Sequence, residues 1–76
     1  MTPAETVENA RLRLGYSQLG MARAMGVAPG TYKKWVSGDR QPGATAVRLA
    51  LVLARHPRTA NALEKGLTTL LWRSTR

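Results

Sequence analysis

The side chains able to do chemistry in this chain are almost all basic or amide donors. Lys33 and Lys34 stand side by side, Arg40 and Gln41 follow them, and Ser17, Gln18 and Arg23 precede them. Ammonium, guanidinium and amide groups donate hydrogen bonds, so this set suits anion binding. A lysine can donate to the O6 and N7 acceptors of guanine. Serine, glutamine and arginine suit phosphate oxygens. Other chemistry has little to work with. His56 is the one histidine, and Glu5, Glu8, Asp39 and Glu64 form no recognisable acid–base pair. With no cysteine, neither a disulfide nor a cysteine metal cluster is available. The expectation is a binding protein, with no enzymatic activity, no metal and no cofactor.

Twelve Lys+Arg against four Asp+Glu give a net charge of +8 and a pI near 11.5. That balance points to a polyanion, either nucleic acid or an anionic membrane surface. A membrane-surface binder needs apolar and basic faces segregated on one exposed helix, whereas these charges are spread over several elements. The longest apolar stretch, Ala44 to Ala54, is interrupted by Arg48 and too short to span a bilayer. MTPAETVENA lacks the basic and apolar regions of a secretory signal, so the expected location is cytoplasmic. The 76 residues suit one domain. A chain of that size buries only about 60% of the surface its unfolded form exposes, and dimerisation is the remaining common way to bury more.

Gly15, Gly26, Gly38, Pro42 and Pro57 cut the chain into segments of helical length, and no period-two alternation suggests a strand. Five helices are expected, an all-α chain. The first opens on Thr2-Pro3-Ala4-Glu5, a capping-box pattern with proline at the first helical position. Ala4, Val7, Arg11 and Leu14 share one of its faces. The second starts from Ser17 as N-cap and runs to Met25. The third begins at Pro29 and stops at Ser37-Gly38. The fourth spans roughly 44–55 and is apolar nearly all round, which predicts burial from more than one side. The fifth follows Pro57 to about residue 72, with Ala60, Leu63, Leu67, Leu70 and Leu71 on one stripe and Gly66 inside it. His56 reads as a boundary residue.

Two short helices joined at a glycine within a basic chain describe a helix-turn-helix. Ser17 to Gly38 resembles the Cro/lambda-repressor type, the XRE family. The match rests on Ser17-Gln18, Met21-Ala22, Gly26-Val27, Thr31-Tyr32, Trp35, Gly38 and Pro42. With Arg11, Leu14 and Gly15 it covers about residues 7–56. Ala22 is small where the third helix would cross the second. Met21, Met25, Tyr32 and Trp35 read as the apolar wedge between them; base stacking by Tyr32 or Trp35 on a single strand is the weaker alternative.

The resemblance implies a compact, lambda-repressor-like five-helix bundle whose third helix enters the major groove of duplex DNA. It implies base reading at the positions of Pro29, Gly30 and Lys34, with Lys33 and Thr31 beside them. Pro29 and Gly30 offer no side-chain donor, so direct readout falls on Lys34, Lys33 and Thr31; Lys33 suits a phosphate equally. Gln18 is implied as a phosphate ligand, with Ser17, Ser37, Arg40, Gln41 and Arg23 as further phosphate contacts. Eight basic residues against Asp39 alone lie within 9–55, so the excess charge is concentrated where the resemblance lies. Family members commonly pair the arginine at position 11 with a glutamate at the position occupied here by Val36. Arg11 is therefore expected to find Glu8, Asp39, the carbonyls ending the third helix, or a DNA phosphate.

The function implied is a sequence-specific transcriptional regulator, a repressor or autorepressor of phage, antitoxin or anti-CRISPR-associated type. It would bind a palindromic operator as a homodimer. Leu49, Leu53, Leu67, Leu71 and Trp72 are the expected dimer surface, with a C-terminal segment packed back on its own protomer as the competing reading of Trp72. The alternative function is an antitoxin-like grip on a partner protein through the fifth helix, with DNA binding secondary.

Overall fold

The computed structural model describes residues 1–66. Among them are five α-helices in chain order: α1 Pro3–Leu14, α2 Gln18–Met25, α3 Pro29–Ser37, α4 Ala44–Arg55 and α5 Pro57–Glu64. The local signals account for most boundaries. Thr2 Oγ1 accepts from the Glu5 backbone N–H at 3.1 Å, and the Thr2 N–H donates to Glu5 Oε1 at 2.8 Å, closing the capping box. Ser17 Oγ accepts from the Gly20 N–H at 3.0 Å and starts α2. Between α2 and α3 the chain turns through Gly26 at φ +74°, a left-handed conformation that glycine takes without a Cβ penalty. His56 serves two helices. Its N–H closes α4 onto the Val52 and Leu53 carbonyls, and its carbonyl accepts from the Ala60 N–H at 3.0 Å at the start of α5.

α1 packs chiefly on α4, and α2 packs on α5 and α3. The core forms where these pairs meet. It contains Val7 and Ala10 of α1, Met21, Ala22 and Met25 of α2, Tyr32 and Trp35 of α3, Ala50 and Leu53 of α4, and Ala60 of α5. Each large aliphatic side chain fully buried here contributes about 1.5–3 kcal/mol. Ala22 is completely enclosed where α2 meets α3, in accord with the need for a small residue there.

Three expectations need correction. α4 is not buried all round: Leu51 and Val52 are 47% and 53% exposed. Its core stripe is carried by Ala50 and Leu53, flanked by half-buried Ala46, Val47, Leu49 and Ala54. Leu53, expected on a dimer surface, is 1% exposed and is a core residue of its own protomer. The burial of α4 comes chiefly from α1, with smaller contributions from α5 and α2. Finally, α5 ends at Glu64 rather than near residue 72, and Gly66, expected inside it, takes φ +89° just beyond its end. Leu67, Leu71 and Trp72 lie outside the described residues.

Candidate nucleic-acid interface

α3 has two unlike faces. Tyr32 and Trp35 point inward, 1% and 6% exposed, with ring centroids 5.6 Å apart and planes tilted at 52°. Both rings are committed to the core, and neither is free to stack on a base. On the opposite side Pro29, Gly30, Lys33, Lys34 and Ser37 are exposed, and Thr31 is half-buried at the margin. Thr31 therefore points outward less fully than its place in the helix suggested. Neither lysine makes an ion pair among the described residues, so both ammonium groups face solvent.

The surrounding donors fall on either side of α3. Gln18 is the first residue of α2 and half-buried, directly after the Ser17 cap. The Ser17 hydroxyl accepts from the Gly20 N–H but keeps its own proton to donate. At the far end of α3, Ser37 Oγ donates to the Lys34 carbonyl at 3.1 Å and accepts from the Asp39 N–H. The Arg40 N–H donates to that same carbonyl at 3.2 Å. These bonds fix the backbone of the loop after α3, and they leave the exposed side chains of Arg40 and Gln41 beside the helix end. Arg23 is placed differently, its guanidinium 3.9 Å from the Glu64 carboxylate on α5. The pair is loose and half-exposed, worth at most about 1 kcal/mol.

Arg11 resolves onto the first of its expected partners. Its Nε and Nη2 donate to the two oxygens of Glu8 at 3.0 and 2.9 Å, and Nη1 donates to the Tyr16 carbonyl at 2.9 Å. Val36, which stands where a glutamate is common in the family, is 44% exposed. The acid has in effect moved to α1, three residues before the arginine. Sequence reasoning missed the third member of this group, Tyr32, whose hydroxyl donates to Glu8 Oε1 at 2.7 Å. The signal available was weak: a buried tyrosine needs a partner for its hydroxyl. The Arg11 hydrogen bonds hold the Glu8 carboxyl below its ordinary range, outweighing the opposing effect of burial. Burial and then the Glu8 contact push the Tyr32 phenol upward. A further tie joins the Tyr16 hydroxyl, on the α1–α2 turn, to the Asn61 side-chain carbonyl on α5.

Two helices meeting at a glycine turn, with an apolar wedge inside and a basic face outside, define a helix-turn-helix protein. A family model described as helix-turn-helix matches residues 7–59, more than half of the chain. The chain belongs to this family, of the XRE or Cro/lambda-repressor type. No curated protein and no solved structure matches it. The family is one of DNA-binding regulators, and double-stranded DNA is the ligand it implies. Among the described residues no helix is long and apolar enough to cross a membrane, and no group of three acidic or histidine side chains is placed to hold a metal.

Proposed function

We propose that this chain is a sequence-specific repressor that binds an inverted repeat in duplex DNA as a homodimer and regulates transcription, its own included. The observation that carries the reading is the division of α3. Tyr32 and Trp35 lock the helix to the core, while Lys33 and Lys34 stand exposed on its other side, without an ion pair among the described residues. Lys34 reads a base edge and Thr31 contributes at the margin. Lys33 reads a base or grips a phosphate. Gln18, Ser17, Ser37, Arg40 and Gln41 position the backbone on either side, with Arg23 at the periphery.

A dimer supports this role because two recognition helices about 34 Å apart enter successive major grooves. The exposed apolar side chains of α4, Leu51 and Val52, support a contact there. We place Leu49 at its edge; Leu67, Leu71 and Trp72, assigned to the same dimer surface from the sequence, lie outside the described residues.

In vitro selection from a random duplex pool tests the whole reading. The expected product is a palindromic site with half-sites about one helical turn apart. A protein that enriches no sequence overturns it. Elution as a monomer at micromolar concentration, with binding to isolated half-sites, overturns the dimer alone.

A further inference from the structure

One face of α4 is apolar at its centre and basic at both ends. Arg48, Leu51, Val52 and Arg55 fall at i, i+3, i+4 and i+7, so they share one side of the helix, roughly opposite the core residues Ala50 and Leu53. All four are exposed, and with His56 they line a hollow of about 450 Å³. Its walls come from α4 and its C-cap alone, so it is an open strip rather than an enclosure for a small molecule. A second hollow continues it across Leu51 to α1, where Asn9 and Arg13 join the lining. No carboxylate is among the residues lining either hollow. Arg13, Arg48 and Arg55 make no ion pair among the described residues.

Charge decides what suits this face. The chain has four acidic side chains, and three are engaged: Glu5 in the α1 capping box, Glu8 with Arg11 and Tyr32, and Glu64 opposite Arg23. A second copy docked here sets its own Arg48 and Arg55 against these and has only Asp39 left to offer. Residues 67–76 carry Arg73 and Arg76 and no acidic side chain, so they bring like charge as well. A phosphate backbone satisfies arginines but gives Leu51 and Val52 nothing apolar to meet. The complement is a surface with apolar side chains in the middle and carboxylates outside them. Arg48 and Arg55 stand two turns apart, about 10 Å along the axis, which matches residues i and i+7 of a second helix.

We infer that this face of α4 is the docking site for an acidic amphipathic helix of a separate protein. Apolar side chains of that helix cover Leu51 and Val52, and its carboxylates pair with Arg48 and Arg55. Arg13 extends the basic rim onto α1. The inference rests on the reading above in one respect: the same face is the proposed contact of the dimer. An occupant of opposite charge is favoured there over a like-charged second copy, so its docking separates the protomers and weakens their hold on the operator.

The test uses a labelled alanine-based peptide of about 18 residues, long enough to populate helix in water, with two adjacent leucines centred between glutamates at i and i+7. Control peptides replace the glutamates by glutamine or the leucines by alanine. Anisotropy against the full chain reads binding, and sedimentation reads the dimer. The wild type is expected to bind at about micromolar concentration, and each control peptide to lose about tenfold or more. Arg48→Glu/Arg55→Glu loses as much, whereas Lys33→Glu/Lys34→Glu, an equal charge change on α3, stays within about threefold of the wild type. These positions are exposed, so the variants should melt near the wild type. Saturating peptide dissociates the dimer. An equal loss in the α3 pair overturns the proposal, because the attraction then belongs to net charge; so does unimpaired binding of the glutamine peptide. If no peptide binds but Leu51→Ser/Val52→Ser dissociates the dimer, the face belongs to the second copy. If no peptide binds but phosphatidylglycerol vesicles hold the wild type and not that variant, it belongs to an anionic membrane. A chain already monomeric without peptide overturns the dimer above, and the peptide comparison still decides the docking.

Discussion

The hydroxyl of Tyr32 on the recognition helix donates to Glu8 Oε1 on α1 at 2.7 Å. That same oxygen accepts from Arg11 Nε at 3.0 Å. The bond makes Glu8 the joint between the two helices: its charge is neutralised within α1, and its orientation is fixed by a residue of α3. The angle at which α3 presents Lys33 and Lys34 thus depends on a polar contact as well as on the apolar wedge.

Removing the two ends of this joint should have unequal effects. Tyr32→Phe keeps the ring in the core and deletes one hydrogen bond to a carboxylate, for a loss of about 1–2 kcal/mol. Glu8→Ala leaves both the Arg11 guanidinium and the Tyr32 hydroxyl without their acceptor, for about 2–4 kcal/mol. Urea unfolding of the two variants measures the difference. A larger loss from Tyr32→Phe would show that Glu8 does not hold the group together.

The same joint gives a pH dependence of determined sign. The Arg11 hydrogen bonds keep the Glu8 carboxyl below its ordinary value of 4.5 in the folded chain, so the unfolded chain binds the proton more readily. The stabilisation is fully present above that value and is lost as pH falls below it. Tyr32 acts at the other end. Its raised phenol means that stability is lost as pH climbs above the ordinary value of 10.0. Glu5 is also depressed, by hydrogen bonds from Thr2, so the wild-type acid limb has two sources. Glu8→Gln should flatten that limb without abolishing it, as read from urea midpoints between neutral pH and acid. An acid limb as steep as the wild type's would remove Glu8 from the account.

Along α4, burial rather than hydrophobicity should rank the leucines. Leu53→Ala opens a cavity among core residues and is expected to lose about 2–5 kcal/mol. Leu51→Ala, at 47% exposure, should stay within about 1 kcal/mol in the isolated protomer. Thermal unfolding at concentrations too low for association checks both. A comparable loss from Leu51→Ala would mean that its exposed face is covered.

How much of this was legible in the sequence depended on how local the signal was. Thr2, Ser17, Gly26 and Pro29 act through bonds or dihedrals within a few residues of themselves, and the boundaries they predict hold. The spacing of Met21, Ala22, Tyr32 and Trp35 placed the wedge because helical periodicity fixes which side chains share a face. α4 was misjudged for the opposite reason. With apolar residues on nearly every side, periodicity gives no preferred face, and the packing of α1, aided by α5 and α2, decides that Leu53 is inside while Leu51 and Val52 are out. Gly66 was ambiguous in the same way. A glycine suits both a bent helix and a helix end, and its φ of +89° belongs to the end. The Glu8–Tyr32 bond spans 24 positions, and no spacing rule predicts it. At the interface, the basic residues could be named from composition and resemblance. The division of labour among them needs a ligand, and mutational comparison supplies that.

Base reading and phosphate positioning should separate in a comparison of Lys34→Ala with Arg40→Ala and Gln18→Ala. A lysine on a base edge discriminates one pair from another, so Lys34→Ala should lose about 1–3 kcal/mol on the selected site and relax preference at one position of each half-site. A phosphate contact carries no sequence information, so Arg40→Ala and Gln18→Ala should weaken selected and random duplexes alike. Salt gives an independent readout. Each cationic contact to a phosphate contributes about 0.9 to the slope of log affinity against log salt, so Arg40→Ala should reduce the slope by about that amount. Gln18→Ala removes a neutral donor and should leave the slope unchanged. Fluorescence anisotropy on both duplexes across a salt series measures all three variants. An equal loss by Lys34→Ala on random DNA, with a reduced slope, would reassign Lys34 to the phosphate backbone and leave side-chain recognition at the third helix to Thr31 and Lys33.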